Sequence, residues 1–96
     1  MSGFSFDLPA DFADYEWEVE TKGWFSEARI IVSGKRYRLN FYDPVRLSQE
    51  IESELQRDGA FFEPNLLIVQ SVTRANMEQA AALLVQSSQV ACLVEE

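Results

Sequence analysis

The sequence predicts an α+β fold: a two-layer sandwich in the order βββαβα(β), with an antiparallel meander, a fourth strand and two helices on one face. Three observations carry this reading. Residues 15 to 42 alternate apolar and polar with period two and are interrupted by two Gly-containing turns, the signature of an antiparallel meander. Two later segments repeat their apolar residues at helical spacing behind good capping residues. Between them, Leu66 to Val69 is a continuous apolar run of strand length.

The elements follow in order. Tyr15, Trp17 and Val19 alternate with Glu16, Glu18 and Glu20, which predicts a half-buried first strand. Lys22-Gly23 turns the chain, and Ala28, Ile30 and Val32 share a face opposite Glu27, Arg29 and Ile31. Ser33-Gly34-Lys35 turns it again, and Tyr37, Leu39 and Phe41 alternate with Arg36, Arg38 and Asn40. Asp43-Pro44 is a helix start, because Asp caps free N–H groups and Pro at the first helical position sacrifices no needed donor. The helix is expected over Pro44 to Asp58, with Leu47, Ile51 and Leu55 on one stripe facing the sheet and Gly59 ending it. Thr73 caps a second helix over Arg74 to Gln86, and Val90 to Val94 is a last short strand or a docked tail.

The length of 96 residues bounds the chain to a single domain, residues 1–96, with residues 1–12 as an N-terminal arm. Phe4, Phe6, Leu8 and Phe12 equip that arm to dock on the body or on a second copy. With 47% hydrophobic residues and few Gly and Pro, the composition is that of a folded domain. Histidine is absent, which removes the commonest general base and metal ligand, and Cys92 is alone, so neither a disulfide nor a thiolate cluster is available. Cys92 sits among Val90, Ala91, Leu93 and Val94 and is expected to be buried and inert. The start lacks a basic region followed by a long apolar one, and no apolar run approaches the roughly 20 residues of a membrane span, so a cytoplasmic, soluble protein is expected.

Charge is the main chemical feature. Residues 1 to 21 carry six acids and no base, residues 22 to 46 six bases and two acids, and residues 47 to 96 eight acids and two bases. The bulk value of −8 disfavours nucleic acid and membrane as partners, yet the middle block places Arg29, Lys35, Arg36 and Arg38 on one hairpin. With the first strand at Tyr15 to Glu20, the outer sheet face would grade from acidic to basic. Such a face either pairs its charges across strands or forms a polarised docking surface, including one on which two copies meet antiparallel. Trp24-Phe25 and Phe61-Phe62 are adjacent aromatics, of which alternation sends one ring inward and one outward. The candidate interaction surface is therefore Trp24, Arg29, Lys35, Arg36, Arg38 and Phe61.

No catalytic constellation is visible. Glu16, Glu18 and Glu20 read as a solvated strand face before they read as a cation site, and Ser33-Gly34-Lys35 lacks the spacing of a phosphate loop. No cofactor or metal is expected. The leading functional expectation is a small non-enzymatic protein-interaction module, homodimeric or an acidic inhibitor-like partner of a basic protein. The alternative is a small-ligand-binding domain or minor enzyme using a helix/sheet pocket near Trp24, Tyr37 and Phe61. Behind both stands nucleic-acid binding by the basic hairpin, with Trp24, Tyr37 and Tyr42 as stacking rings.

Overall fold

A computed structural model describes residues 3–96. Its chain is α+β, with one open four-stranded sheet in the order β1-β2-β3-β4 and three helices. The strands are β1 (Phe4–Asp7), β2 (Trp24–Val32), β3 (Lys35–Tyr42) and β4 (Leu66–Ile68). The helices are α1 (Glu16–Lys22), α2 (Pro44–Asp58) and α3 (Arg74–Gln86). The first three strands form an antiparallel meander, and β4 runs parallel to β3 after the crossover through α2.

The β2–β3 hairpin closes on Ser33 and Gly34, with Val32 opposite Lys35. Both turn residues have positive φ, 52° and 78°, which gives the two-residue turn whose twist matches the flanking strands. Between Phe25 and Ala28 the register slips, so β2 carries one extra residue and still turns Phe25, Ala28 and Ile30 to the core.

The first strand of the meander lies earlier in the chain than the sequence predicts. Phe4–Asp7 pairs with β2, setting Phe4 against Val32 and Phe6 against Ile30, so the arm docks on the body. Tyr15–Glu20, predicted as that strand, is instead the start of α1. Tyr15 and Val19 are four apart and share a helical face as readily as a strand face, and Val19 is buried while Trp17 is 67% exposed. Three glutamates in six residues favour helix over strand, and Gly23, with φ of 80°, ends α1 in the left-handed region.

One face of the sheet holds the core. Ile30, Leu39 and Phe41 are fully buried under Val72, Met77 and Ala81. Met77, Ala81 and Val85 recur every four residues along the buried side of α3. Phe12 fills the adjoining corner, edge-on to Phe25 at 5.1 Å and to Tyr15 at 5.6 Å, with the Arg74 guanidinium 5.8 Å from its ring centre. The Thr73 hydroxyl accepts from Asn76 N–H at the start of α3, and Glu16 accepts from Arg74 N–H, bringing an acid to the positive end of the helix.

α2 begins and ends as the sequence predicts, with the Asp43 carboxylate accepting from Arg46 N–H at 2.7 Å and Gly59 at φ 78°. It buries none of its side chains, however. Leu47 and Ile51 border a shallow groove with Ile68, Ile51 is 36% exposed and Leu55 is 50% exposed. The radius of gyration, 13.7 Å against about 12.5 Å from the scaling for folded domains of this size, fits an element standing off the body. The core is thus closed by α3, while α2 is held by its caps and by the Arg46–Glu50 and Arg57–Glu54 pairs. Residues Gln89–Cys92 form a 3-10 turn in place of a last strand, and Val90 and Leu93 dock against the core edge. Cys92, expected to be buried, is exposed because this turn directs Val90 and Leu93 inward instead.

Two outcomes follow for stability. Leu39→Ala should cost about 2–5 kcal/mol in denaturant unfolding, whereas Leu55→Ala should stay within about 0.5 kcal/mol, and equal losses would place the stripe of α2 in the core. A methyl group on Gly23 would stand 2.6 Å from Asp43 Oδ2 and 2.9 Å from Arg46 Cβ, whereas one on Gly59 meets nothing within 4 Å. Both positions have positive φ. Gly23→Ala should therefore lose at least about 1 kcal/mol more than Gly59→Ala, since it also displaces the cap of α2.

Candidate functional site

Strand alternation sends Tyr37, Leu39 and Phe41 into the core and leaves Arg36, Arg38, Asn40 and Tyr42 on the outer face of the sheet. Cross-strand pairing sets Arg29 directly opposite Arg38, and Ile31 opposite Arg36. The main-chain groups of Asn40 and Tyr42 bond on the β4 side, so Arg29 and Arg38 face each other at a non-hydrogen-bonded pair, the closer of the two antiparallel spacings. Two like charges meet there, where a salt bridge would have been the stabilising choice.

Along this face lie two adjoining cavities. One, about 260 Å³, is lined by Arg38, Asn40, Pro64, Asn65 and residues 94–96; the other, about 320 Å³, is lined by Trp24, Arg38, Asn40, Tyr42, Glu63 and Pro64 among others. Arg38, Asn40 and Pro64 belong to both. The loop after α2 builds the rim: Asn40 Nδ2 donates to Pro64 O at 2.8 Å, and the Tyr42 hydroxyl donates to Glu63 at 2.7 Å. Burial first, and then the bond to Glu63, push the Tyr42 phenol well above its ordinary range, so it stays a neutral donor.

Asn65, at φ 55°, ties the last residues to the sheet. Its Nδ2 donates to Arg38 O and to Val94 O, both at 2.8 Å, and its Oδ1 accepts from Val94 N–H at 2.7 Å. Glu96 N–H then donates to Arg36 O at 2.8 Å. The Glu96 carboxylate takes a two-pronged bond from Arg29, at 2.9 Å from Nε and 3.0 Å from Nη2, and lies 3.9 Å from Arg36. Among the described residues, no carboxylate pairs with Arg38.

The residues singled out from the sequence divide accordingly. Arg29, Arg36 and Arg38 share the outer face, and Trp24, 36% exposed, borders the larger cavity. Lys35 is exposed at the hairpin turn. Phe61 is half-buried and lines neither of the two cavities, while its neighbour Phe62 is 87% exposed. Tyr37 belongs to the core, which removes it from the pocket expected near Trp24, Tyr37 and Phe61 and from any stacking platform. The acidic-to-basic gradation across the face is not formed, because Glu16, Glu18 and Glu20 are on α1 and the strand beside β2 contributes Ser5 and Asp7. On a helix residues two apart diverge by about 200°, so Glu18 points away from Glu16 and Glu20, and the three glutamates form no single row. Among the described residues, no three His, Cys, Asp or Glu side chains gather as a metal site, and no helix is long and apolar enough to cross a membrane.

Asn65 and Glu96 are the site residues that sequence reasoning missed. Asn after Pro64 and before a strand signals a left-handed position, but its double link to Arg38 and Val94 depends on the tail's path. Comparisons with protein-family models, curated proteins and solved structures find no match to this chain.

The hydrogen bond from Arg29, reinforced by the charges of Arg29, Arg36 and Arg38, holds the Glu96 carboxyl below its ordinary 4.5. A carboxyl depressed in the folded state supports docking above its free value and loses that support as pH falls through the depressed one. The Glu96 amide resonance should therefore hold its docked position from pH 7 to about 4.5 and move only below that, and Arg29→Gln should return the titration toward 4.5. A native Glu96 that titrates at or above 4.5 would contradict the clasp.

Proposed function

We propose that this chain is a small, non-enzymatic protein-interaction module that docks through the outer face of its sheet. The observation that carries the reading is Arg38: a guanidinium opposed by Arg29, without a carboxylate among the described residues, in a groove shared with Trp24. Glu96 already neutralises Arg29, so Arg38, which has no salt bridge of its own, and Arg36 are the charges an anionic partner would meet. In a chain of net charge −8 this positive strip is also the polarised element that orients an incoming partner. Arg and Trp are residue types enriched among the anchors of protein interfaces.

A second reading has its own support in the adjoining cavities, whose walls offer a cation at Arg38, an indole at Trp24 and polar groups at Asn40, Tyr42 and Glu63. That set suits a small carboxylate ligand with an aromatic part. Nucleic acid is less well served, because Tyr37 is in the core and Tyr42 is 8% exposed, leaving Trp24 as the accessible ring of the three.

The test compares the wild-type chain with Arg36→Glu/Arg38→Glu in affinity capture from the native lysate. A partner held by the wild type at about 50 mM salt should be lost from the double variant and weakened by 500 mM salt. Equal retention by both proteins would move the docking surface off this face. A metabolite screen that stabilises the wild type but not Trp24→Ala would favour the ligand reading instead.

A further inference from the structure

β4 covers only Asn40, Phe41 and Tyr42 of β3. Among the described residues, no strand neighbours the edge beyond them, from Lys35 to Leu39. The even-numbered residues of β3 turn their main-chain groups to this side, where Arg36 O accepts from Glu96 N–H and Arg38 O from the Asn65 amide in place of a strand. Val94 to Glu96 lies along that edge, held by the Asn65 amide and the Glu96 N–H bond to Arg36 O. Its one carboxylate on the outer face is clasped by Arg29 and lies near Arg36. Arg38 remains unfilled beside the smaller cavity.

We infer that the open edge of β3, with Arg29, Arg36 and Arg38, is a strand-addition cleft for an extended acidic peptide segment, and that residues 94–96 occupy it as a displaceable internal stand-in. The inference rests on the reading of the outer face as the docking surface and names its partner class. The chemistry follows from spacing. Arg36 and Arg38 are two residues apart on one face, about 6–7 Å, which matches carboxylates at alternate positions of an added strand. A Glu-x-Glu segment brings a carboxylate to each arginine and can take over the Arg36 carbonyl from Glu96 N–H, while the Arg38 carbonyl stays with the Asn65 amide; residues 94–96 bring only the Glu96 side chain to these arginines. What a competing segment has to displace is the two-pronged Arg29–Glu96 pair, the two Asn65–Val94 bonds and one main-chain bond to Arg36, all at the surface and without buried apolar area of their own. Release of residues 94–96 leaves Leu93 packed at the core edge.

The experiment measures fluorescence anisotropy of a labelled, blocked Val-Glu-Val-Glu-Val peptide and of its Val-Lys counterpart. They are titrated with full-length wild type, Glu96→Ala and Glu96→Ala/Arg38→Glu, each confirmed as folded by circular dichroism. Glu96→Ala should bind the glutamate peptide about tenfold more tightly than wild type, with amide shifts centred on Arg36 and Arg38. Adding Arg38→Glu should weaken that binding at least tenfold, and the lysine peptide should bind none of the three. Equal affinity of wild type and Glu96→Ala, shifts away from β3, or equal binding of both peptides would overturn the inference. If the peptide fails while lysate capture still depends on Arg36 and Arg38, the cleft is refuted and the docking face stands; if that dependence is also absent, both are refuted.

Discussion

The alternation of side chains along β3 is the constraint on which the rest of the molecule depends. Tyr37, Leu39 and Phe41 enter the core, where Leu39 and Phe41 are completely shielded beside Phe25 and Ile30 of β2. That placement forces Arg36, Arg38, Asn40 and Tyr42 to the opposite face, because a shift of one residue would bury two arginines and expose the core. The positive strip is therefore a consequence of the same register that builds the core. The two-residue turn at Ser33-Gly34 locks the register, and the slip near Phe25 lets β2 follow it while keeping both Phe25 and Ala28 inward.

How much was legible in the sequence varied with how locally each element is specified. α2 and α3 have their predicted bounds because the caps Asp43, Gly59 and Thr73 act within a few residues of themselves. The hairpin was legible for the same reason. The stretch Tyr15–Glu20 was not, because two apolar residues four apart satisfy both periods, and Phe4–Asp7 takes the edge of β2 that a strand there would have used. The inward stripe expected of α2 failed differently. The spacing of Leu47, Ile51 and Leu55 is real, but the core face is already filled by α3 and Phe12, so amphipathic pattern and burial part company there.

The site shows the same division. Which arginines share a face was readable from alternation, and so was the inward-outward split of Trp24 and Phe25. Alternation also excludes Tyr37 from the outer face, and with it a stacking platform of Trp24, Tyr37 and Tyr42 beside the arginines. The Tyr42–Glu63 bond and the Asn65 clamp join residues 21 and 29 positions apart through a loop whose path no local rule fixes. The Glu96–Arg29 contact, 67 positions apart, is further still from local inference.

These differences in specification also divide the molecule energetically. The β2–β3 hairpin, Phe12 and α3 share the buried apolar surface and must open together. By contrast, α2 is held by its caps and exposed ion pairs, and residues 94–96 by polar bonds from Arg29, Asn65 and Arg36. An isolated helix of 15 residues is marginal in water, so α2 and the tail belong to the low end of local stability and the sheet to the high end. Docking surfaces that exchange one occupant for another work best with this arrangement. The arginines on β3 are fixed in place by the most stable part of the chain, and so keep their spacing whether or not the edge is filled. The segment that fills the edge belongs to the least stable part, so it can leave without disturbing them. Glu96 already neutralises Arg29, so what Arg38 adds beside it is a further positive charge without a salt bridge among the described residues. A strand face that keeps two arginines opposed is thus suited to a function that uses their charge.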